Sequence, residues 1–329
     1  MKKPKILLIN PTILKPGVDR LSQEAEIVMA PSGDEKTLIS YVSGDIDGVI
    51  IRLERITKNV IGAAKNLKVI GMNGVAVSGI DVIAATGKGI CVVNAPFSNY
   101  VSVAEHIIMF LLALPKNIKK ADQAVRNGNW QFRDVHMPTE VHGKTFFAVG
   151  FGRIGKEVTR ILRVAFDMKV LVFDPYYSNE EIEKTGATKV ATLEEGCRLA
   201  DFVSLHLPLN EETFHIIDAN VISSMKEGAI FINCARGPIV DFDALYEGLL
   251  HGPISMAGID VFPEEPVDPR EKIFQLDNVI VSPHCAGDTL EARIRCSLQI
   301  SEEVLRVLRG EPPTALVNPE CLKKFDGVL

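Results

Sequence analysis

The chain has 329 residues, 24% of them charged and 47% hydrophobic, and a formal net charge of −6. That length suits about two domains rather than one core, and the composition is that of an ordinary globular protein. The negative balance, with no basic stripe interleaved with aromatics, argues against a nucleic-acid partner; no apolar segment reaches spanning length, so no membrane is expected.

Met1-Lys2-Lys3 leads into an apolar run, Ile6 to Ile9, that stops at Asn10 and Pro11. It is too short for a signal peptide and reads as a first strand, KILLIN. Strand-like and helix-like runs then alternate: a helix near Asp19 to Ala25, a strand DGVIIR from Asp47 to Arg52, a helix from Thr57 to Lys65, a strand from Lys68 to Gly71, a helix from Ile80 and a strand from Ile90 to Val93. Such alternation implies a parallel sheet covered on both faces. The first hundred residues are therefore a doubly wound domain without a glycine-rich nucleotide fingerprint. After Asn94-Ala95-Pro96 one long helix is predicted from Val101 to about Arg126. Ile107, Ile108, Met109, Phe110, Leu111 and Leu112 exceed a single apolar stripe, so it should be buried on several sides, with a second chain able to share in the cover. Asn127-Gly128-Asn129-Trp130 predicts a turn into an irregular connection ending near Gly143.

Thr145 to Val149 predicts a buried strand running straight into Gly150-Phe151-Gly152-Arg153-Ile154-Gly155, after which Val158, Ile161, Leu162 and Ala165 recur at helical spacing. A second strand, Lys169 to Phe173, ends in Asp174. Gly150 permits the tight turn, Gly152 lets backbone approach a pyrophosphate, and Gly155 lets the helix pack on the strand, while the helix N-terminus offers amides to phosphate. Asp174 is placed for an adenosine ribose diol. A carboxylate there repels a 2′-phosphate, and Pro175, Tyr176 and Tyr177 bring no arginine, so NAD is expected rather than NADP.

Further strand-like runs follow at Ala187 to Val190, Phe202 to Leu205, Ala229 to Asn233, Met256 to Asp260 and Val279 to Ser282, interleaved with helices such as Thr192 to Leu199 and Asp241 to Leu250. The expectation is the six-strand complement of a complete dinucleotide-binding domain. Helical period returns from Asp288 to Leu308, and a tail with Pro312, Pro313 and Pro319 returns to the first domain. The fold class expected is α/β: two doubly wound parallel-sheet domains, the larger a Rossmann dinucleotide-binding domain (residues 100–288) inserted into a smaller substrate domain (residues 1–99 and 289–329). Cys91, Cys197, Cys234, Cys285, Cys296 and Cys321 form no CxxC pair and no cysteine–histidine cluster at metal-site spacing. They read as buried reduced thiols, which implies a cytoplasmic protein with no bound metal.

In open parallel sheets a substrate lies beyond the carboxyl ends of the strands. Arg236, in Asn233-Cys234-Ala235-Arg236-Gly237, follows one such end; Glu265, in Asp260-Val261-Phe262-Pro263-Glu264-Glu265-Pro266, follows another; His284, in Ser282-Pro283-His284-Cys285-Ala286-Gly287, follows a third. With the glycine unit and the segment LHLPLNEET from Leu205 to Thr213, these stretches resemble the D-isomer-specific 2-hydroxyacid dehydrogenases over nearly the whole chain.

The resemblance implies hydride transfer between NAD(H) and a small 2-oxoacid or D-2-hydroxyacid. Arg236 looks like the arginine whose planar fork holds the α-carboxylate and polarises the carbonyl. His284 looks like the general acid/base, and Glu265 like the carboxylate that fixes its tautomer and favours the imidazolium. The same resemblance assigns cofactor contacts to Gly150, Gly152, Arg153, Ile154, Gly155, Asp174, Leu207, Pro208, Thr213, Cys234, Ala235, Asp260 and Gly287. Asp260 is similar to a residue that binds the nicotinamide carboxamide, and reads equally as a strand-end turn cap. His206 resembles an adenine-side position. His106, His136, His142, His215 and His251 fit no constellation. Gly71 to Asp81 resembles the family's substrate loop, with Asn73, Gly74, Val75 and Ala76 facing the carboxylate; it departs from the pattern at Ala76, Ser78 and Gly79, and Ser78 is expected to cap the helix that follows. Arg52, with Arg55 and Lys58, suits either an anionic substrate tail or a solvated helix entry. A homodimer through the helix near Val101 is implied, and the extra regulatory domain of some phosphoglycerate dehydrogenases is not expected. Formate dehydrogenases share the architecture but pair the histidine with glutamine, against which Glu265 argues. A second reading is an NAD(H)-sensing binding protein similar to the C-terminal-binding corepressors.

Overall fold

The computed structural model describes residues 2–9 and 12–324. Asn10 and Pro11, expected to close the first strand, and residues 325–329 of the tail lie outside the described residues. The chain divides into two compact units, Met1–Asn99 with Asp288–Leu329, and Tyr100–Gly287.

The first unit is built on five parallel strands, β1 (Lys5–Ile9), β2 (Glu26–Ala30), β3 (Gly48–Ile51), β4 (Val69–Met72) and β5 (Cys91–Val93), in the order β2-β1-β3-β4-β5. That is a doubly wound order with its switch point between β1 and β3. The tail closes onto it, where Val317 N donates to Val92 O at 2.8 Å and Asn318 Oδ1 accepts from Val92 N at 2.7 Å.

The second unit carries β6 (Thr145–Val149), β7 (Lys169–Phe173), β8 (Thr188–Lys189), β9 (Phe202–Leu205), β10 (Ala229–Asn233), β11 (Ile254–Ile259) and β12 (Val279–Val281), all parallel, in the order β12-β11-β10-β9-β6-β7-β8. Counted from β6 this is the 3-2-1-4-5-6 order of a dinucleotide-binding sheet. The sheet has seven strands, one for each run expected from the sequence, so the six-strand complement falls one short, with β12 at the edge. Successive side chains enter opposite cores: Phe146 and Ala148 pack with the helices Tyr100–Ala113 and Arg153–Phe166, and Phe147 and Val149 with those on the other face. Both faces being covered, the strands read as unbroken apolar runs.

The helix expected near Asp19 to Ala25 stands at Lys15–Ser22, the connection after Trp130 carries a short helix at Phe132–Val135, and three further stretches differ from the sequence expectations. Between Ala25 and Asp47, where none was assigned, stand β2 and a helix Glu35–Val42 whose N-cap Asp34 accepts from Thr37 N at 3.0 Å. β2 is an edge strand with Met29 48% exposed, and its apolar run Ile27-Val28-Met29-Ala30 is too short for periodicity to tell a strand from a helix. The single long helix is two, Tyr100–Ala113 and Ile118–Arg126, bent by 60°. Pro115 supplies no N–H and disfavours α conformation at Leu114, and Asn117 turns the chain at φ 51°. No single described helix is long and apolar enough to cross a membrane, although this bent pair passes on length and composition together. Val103, Ala104, Ile107, Phe110 and Leu111 of its first half are buried in the core of the unit. Finally, the helix after the glycine loop is Val82–Gly87 rather than one starting at Ile80, and its cap is Asp81, accepting from Ala84 N at 2.9 Å, not Ser78.

Candidate active site

The β6 turn has the shape its glycines predict. Gly150 stands at φ 101°, and a Cβ there would lie 2.9 Å from the His206 backbone. A Cβ at Gly155 would lie 2.5 Å from Gly150 O, so the helix Arg153–Phe166 seats directly on the turn. At Gly152, the N-cap, a Cβ would meet nothing within 4 Å. The middle glycine alone fronts open space, as an approaching pyrophosphate requires. Asp174 ends β7 buried, with Oδ2 accepting from Phe151 N at 2.8 Å and Oδ1 from Tyr176 N at 2.9 Å. The acid is thus locked to the glycine turn. These residues fit a dinucleotide.

His206, Leu207 and Pro208 leave β9 beside the same turn. The His206 ring nitrogens are buried without a partner, burial pushes the imidazole down to about 3, and the ring lies near Phe146 and beneath Gly155. Thr213 ties its loop by donating to Pro208 O at 2.7 Å and accepting from Asn210 N at 2.9 Å.

Three loops leave the carboxyl ends of the adjacent strands β10, β11 and β12. After β10, Asn233 holds the turn: its Oδ1 accepts from Ala235 N at 2.9 Å and its Nδ2 donates to Arg236 O at 3.1 Å. Arg236 Nη1 donates to Ala235 O at 2.6 Å. A Cβ at Gly237 would lie 2.0 Å from Phe262 C, so only glycine lets this turn sit against the loop after β11. There Glu265 Oε1 accepts from Phe262 N at 3.0 Å, and its Oε2 meets His284 Nδ1 at 2.6 Å. With Nδ1 committed to Glu265, Nε2 is the other ring nitrogen of the part-exposed His284.

Asp260 is fully buried at the end of β11, and three donors from the His284 loop converge on it: Ser282 Oγ at 2.5 Å, Cys285 N at 2.9 Å and Ala286 N at 3.0 Å. The turn-cap reading of Asp260 is realised. His106, which the sequence attached to no constellation, reaches Ser282 Oγ with Nε2 at 2.9 Å. His106, Asp260 and Cys285 also bring one ligand-type atom each within 4.8 Å of one another, a grouping that sequence spacing does not show.

In the first unit, Asn73 follows β4. Its N donates to Ile51 O at 2.7 Å and its Nδ2 to Thr12 O at 2.6 Å, while Oδ1 is buried without a partner. Gly74 O accepts from Ala95 N at 2.9 Å, and Val75 and Ala76 are exposed. Arg52 Nη2 is engaged by Asp288 at 2.9 Å, which Arg293 also grips at 2.7 Å.

Residues 108–286 match the model of the D-isomer specific 2-hydroxyacid dehydrogenase NAD binding domain. D-3-phosphoglycerate dehydrogenase of Methanocaldococcus jannaschii is 40% identical over 95% of this chain and 59% of its own length. The chain thus spans about six-tenths of that relative. Glyoxylate reductase of Thermofilum pendens is 36% identical over 98% of this chain and 97% of its own. The holo form of Rhodotorula graminis D-mandelate dehydrogenase superposes with a TM-score of 0.88 at 26% identity, covering 96% of this chain and 98% of that one. A family match over more than half of the chain and a relative 36% identical over nearly its whole length show that the chain belongs to the D-isomer specific 2-hydroxyacid dehydrogenases.

Proposed function

We propose that this protein interconverts a small 2-oxoacid and a D-2-hydroxyacid with NAD(H). The observation that carries the reading is the 2.6 Å contact between His284 Nδ1 and Glu265 Oε2 at the strand ends of a nucleotide-binding sheet. Arg236 holds the substrate carboxylate through its guanidinium fork and draws electron density from the adjacent carbonyl. His284 gives a proton from Nε2 to the carbonyl oxygen during reduction and takes it back during oxidation. Glu265 holds the ring through Nδ1 and so fixes which nitrogen faces the substrate. Bound NADH supplies the hydride. Asp174 favours NADH over NADPH, and Arg153, Ile154, Leu207, Pro208, Thr213, Cys234, Ala235, Asp260 and Gly287 complete the proposed cofactor contacts. Asn73, Gly74, Val75, Ala76 and Arg52 are the substrate contacts proposed in the first unit, where the unpartnered Asn73 Oδ1 supports a polar ligand.

The names of the relatives supply the first substrates to try, glyoxylate and a phosphorylated 2-hydroxyacid among them. Loss of NADH absorbance across a panel of these acids tests the reading. Tight NADH binding with no turnover on any of them would favour the nucleotide-sensing alternative. A homodimer is part of the proposal, supported by the exposure of Ile118, Val125, Trp130, Val135 and Met137 along residues 118–137; light scattering on the purified protein tests it. A cytoplasmic location is proposed on the six cysteines, none of which is in a disulfide.

A further inference from the structure

His284 stands at φ 51°, a left-handed conformation that a non-glycine residue keeps only when its surroundings enforce it. The enforcement is visible. His284 N donates to Asp260 O at 2.8 Å, and the residues around it, Ser282, Cys285 and Ala286, all donate to the Asp260 carboxylate. Facing two amide N–H groups, that carboxylate is an acceptor. Ser282 therefore turns its single hydroxyl proton to Oδ1, and its oxygen lone pairs remain for His106 Nε2 at 2.9 Å. The network thereby assigns the His106 proton to Nε2. The imidazole stands edge-on to Phe110 with ring centroids 4.8 Å apart, and burial lowers its pKa, with Asp260 acting the other way. A neutral ring donating through Nε2 is the form this site holds.

From this geometry we infer that His106 is a positioning residue for the proposed proton-transfer group. Through Ser282 Oγ it holds the Asp260 clamp that fixes the turn carrying His284. The inference rests on the dehydrogenase reading for its kinetic consequence, whereas the clamp itself is a matter of hydrogen bonding that can be read without turnover.

Three variants of the full chain test it. His106→Leu removes the donor and keeps an apolar filling; His106→Gln puts an amide N–H near the place of Nε2; Ser282→Ala cuts the link at its other end. Hydrogen–deuterium exchange at the Cys285 and Ala286 amides should quicken by about tenfold in His106→Leu and Ser282→Ala, the loss of one buried hydrogen bond, and return toward the parent rate in His106→Gln. In steady-state assays kcat on the best 2-oxoacid should fall about tenfold in the first two variants, with KM within about twofold, and recover in the third. Parent-like protection in His106→Leu overturns the inference whatever Ser282→Ala does, because Ser282 Oγ also bonds Asp260 directly. So does equal loss in His106→Gln and His106→Leu, which would assign the effect to ring packing. Should the leucine variant not fold, His106→Met, which lacks a donor but matches glutamine in size, takes its place against His106→Gln. If the parent protein reduces no 2-oxoacid, the dehydrogenase reading falls while the exchange result still decides the clamp.

Discussion

Both units wind helices around a parallel sheet, yet their first strand-to-helix turns are used in opposite ways. In the first unit Gly17 brings the helix Lys15–Ser22 so close to Leu290–Arg309 that a Cβ would lie 2.7 Å from Ser297 O. Leu14 N donates to Ser297 Oγ at 3.0 Å, and Ser301 Oγ donates to Gly17 O at 3.1 Å, so the chain itself occupies that helix start. In the second unit Gly152 opens the helix Arg153–Phe166, and a Cβ there meets nothing. One glycine serves packing and the other keeps a space. Doubly wound topology is therefore not by itself a nucleotide site; the turn after the first strand decides which of two similar sheets takes the ligand.

The contrast breaks outright if the chemistry does not belong to the second unit. His284→Ala should lower kcat by roughly 10²–10⁴-fold with NADH affinity nearly intact by fluorescence titration; an undiminished rate removes it from proton transfer. Arg236→Lys should cost roughly 10–100-fold in kcat/KM for the 2-oxoacid, because a point charge does not reproduce a planar fork. Near-normal kinetics would contradict that assignment. The two glycines sharpen the contrast directly. Gly17→Ala should destabilise the fold by about 1–3 kcal/mol through overpacking on Ser297, seen as a lower urea midpoint, and leave NADH binding alone. Gly152→Ala should do the reverse, keeping stability within about 0.5 kcal/mol of the parent while weakening NADH. Equal behaviour of the pair would erase the distinction. The smallest effect is expected at Asp174→Ala, where the ratio of NADH to NADPH affinity should fall by about tenfold. A retained preference would mean that another residue reads the ribose.

Much of this was readable before any coordinates. The run from Thr145 to Asp174 carries its strand, turn, helix and acid within some thirty contiguous residues, and each constraint there is local: positive φ at Gly150, close packing at Gly155, a carboxylate at a strand end. The strand-end placement of Arg236, Glu265 and His284 was legible for a related reason, since each follows a short apolar run. The edge strand β2 was not, because the four apolar residues Ile27 to Ala30 are too few for periodicity to tell a strand from a helix. The break after Ala113 is marked by Pro115 alone, one residue beside a strongly apolar flank, and its missing N–H decides the matter.

The amino-acid order alone determined the class of fold, the nucleotide turn and the three strand-end groups, since periodicity, glycine geometry and strand termini are properties of neighbouring residues. Only the tertiary structure decided what His106 does, joined it to Ser282 and Asp260, and turned Asp260 into the anchor of the His284 turn. His106 and Ser282 are 176 residues apart, and no local pattern encodes a contact created by the stacking of a helix on β10 and by the order in which β10, β11 and β12 lie side by side.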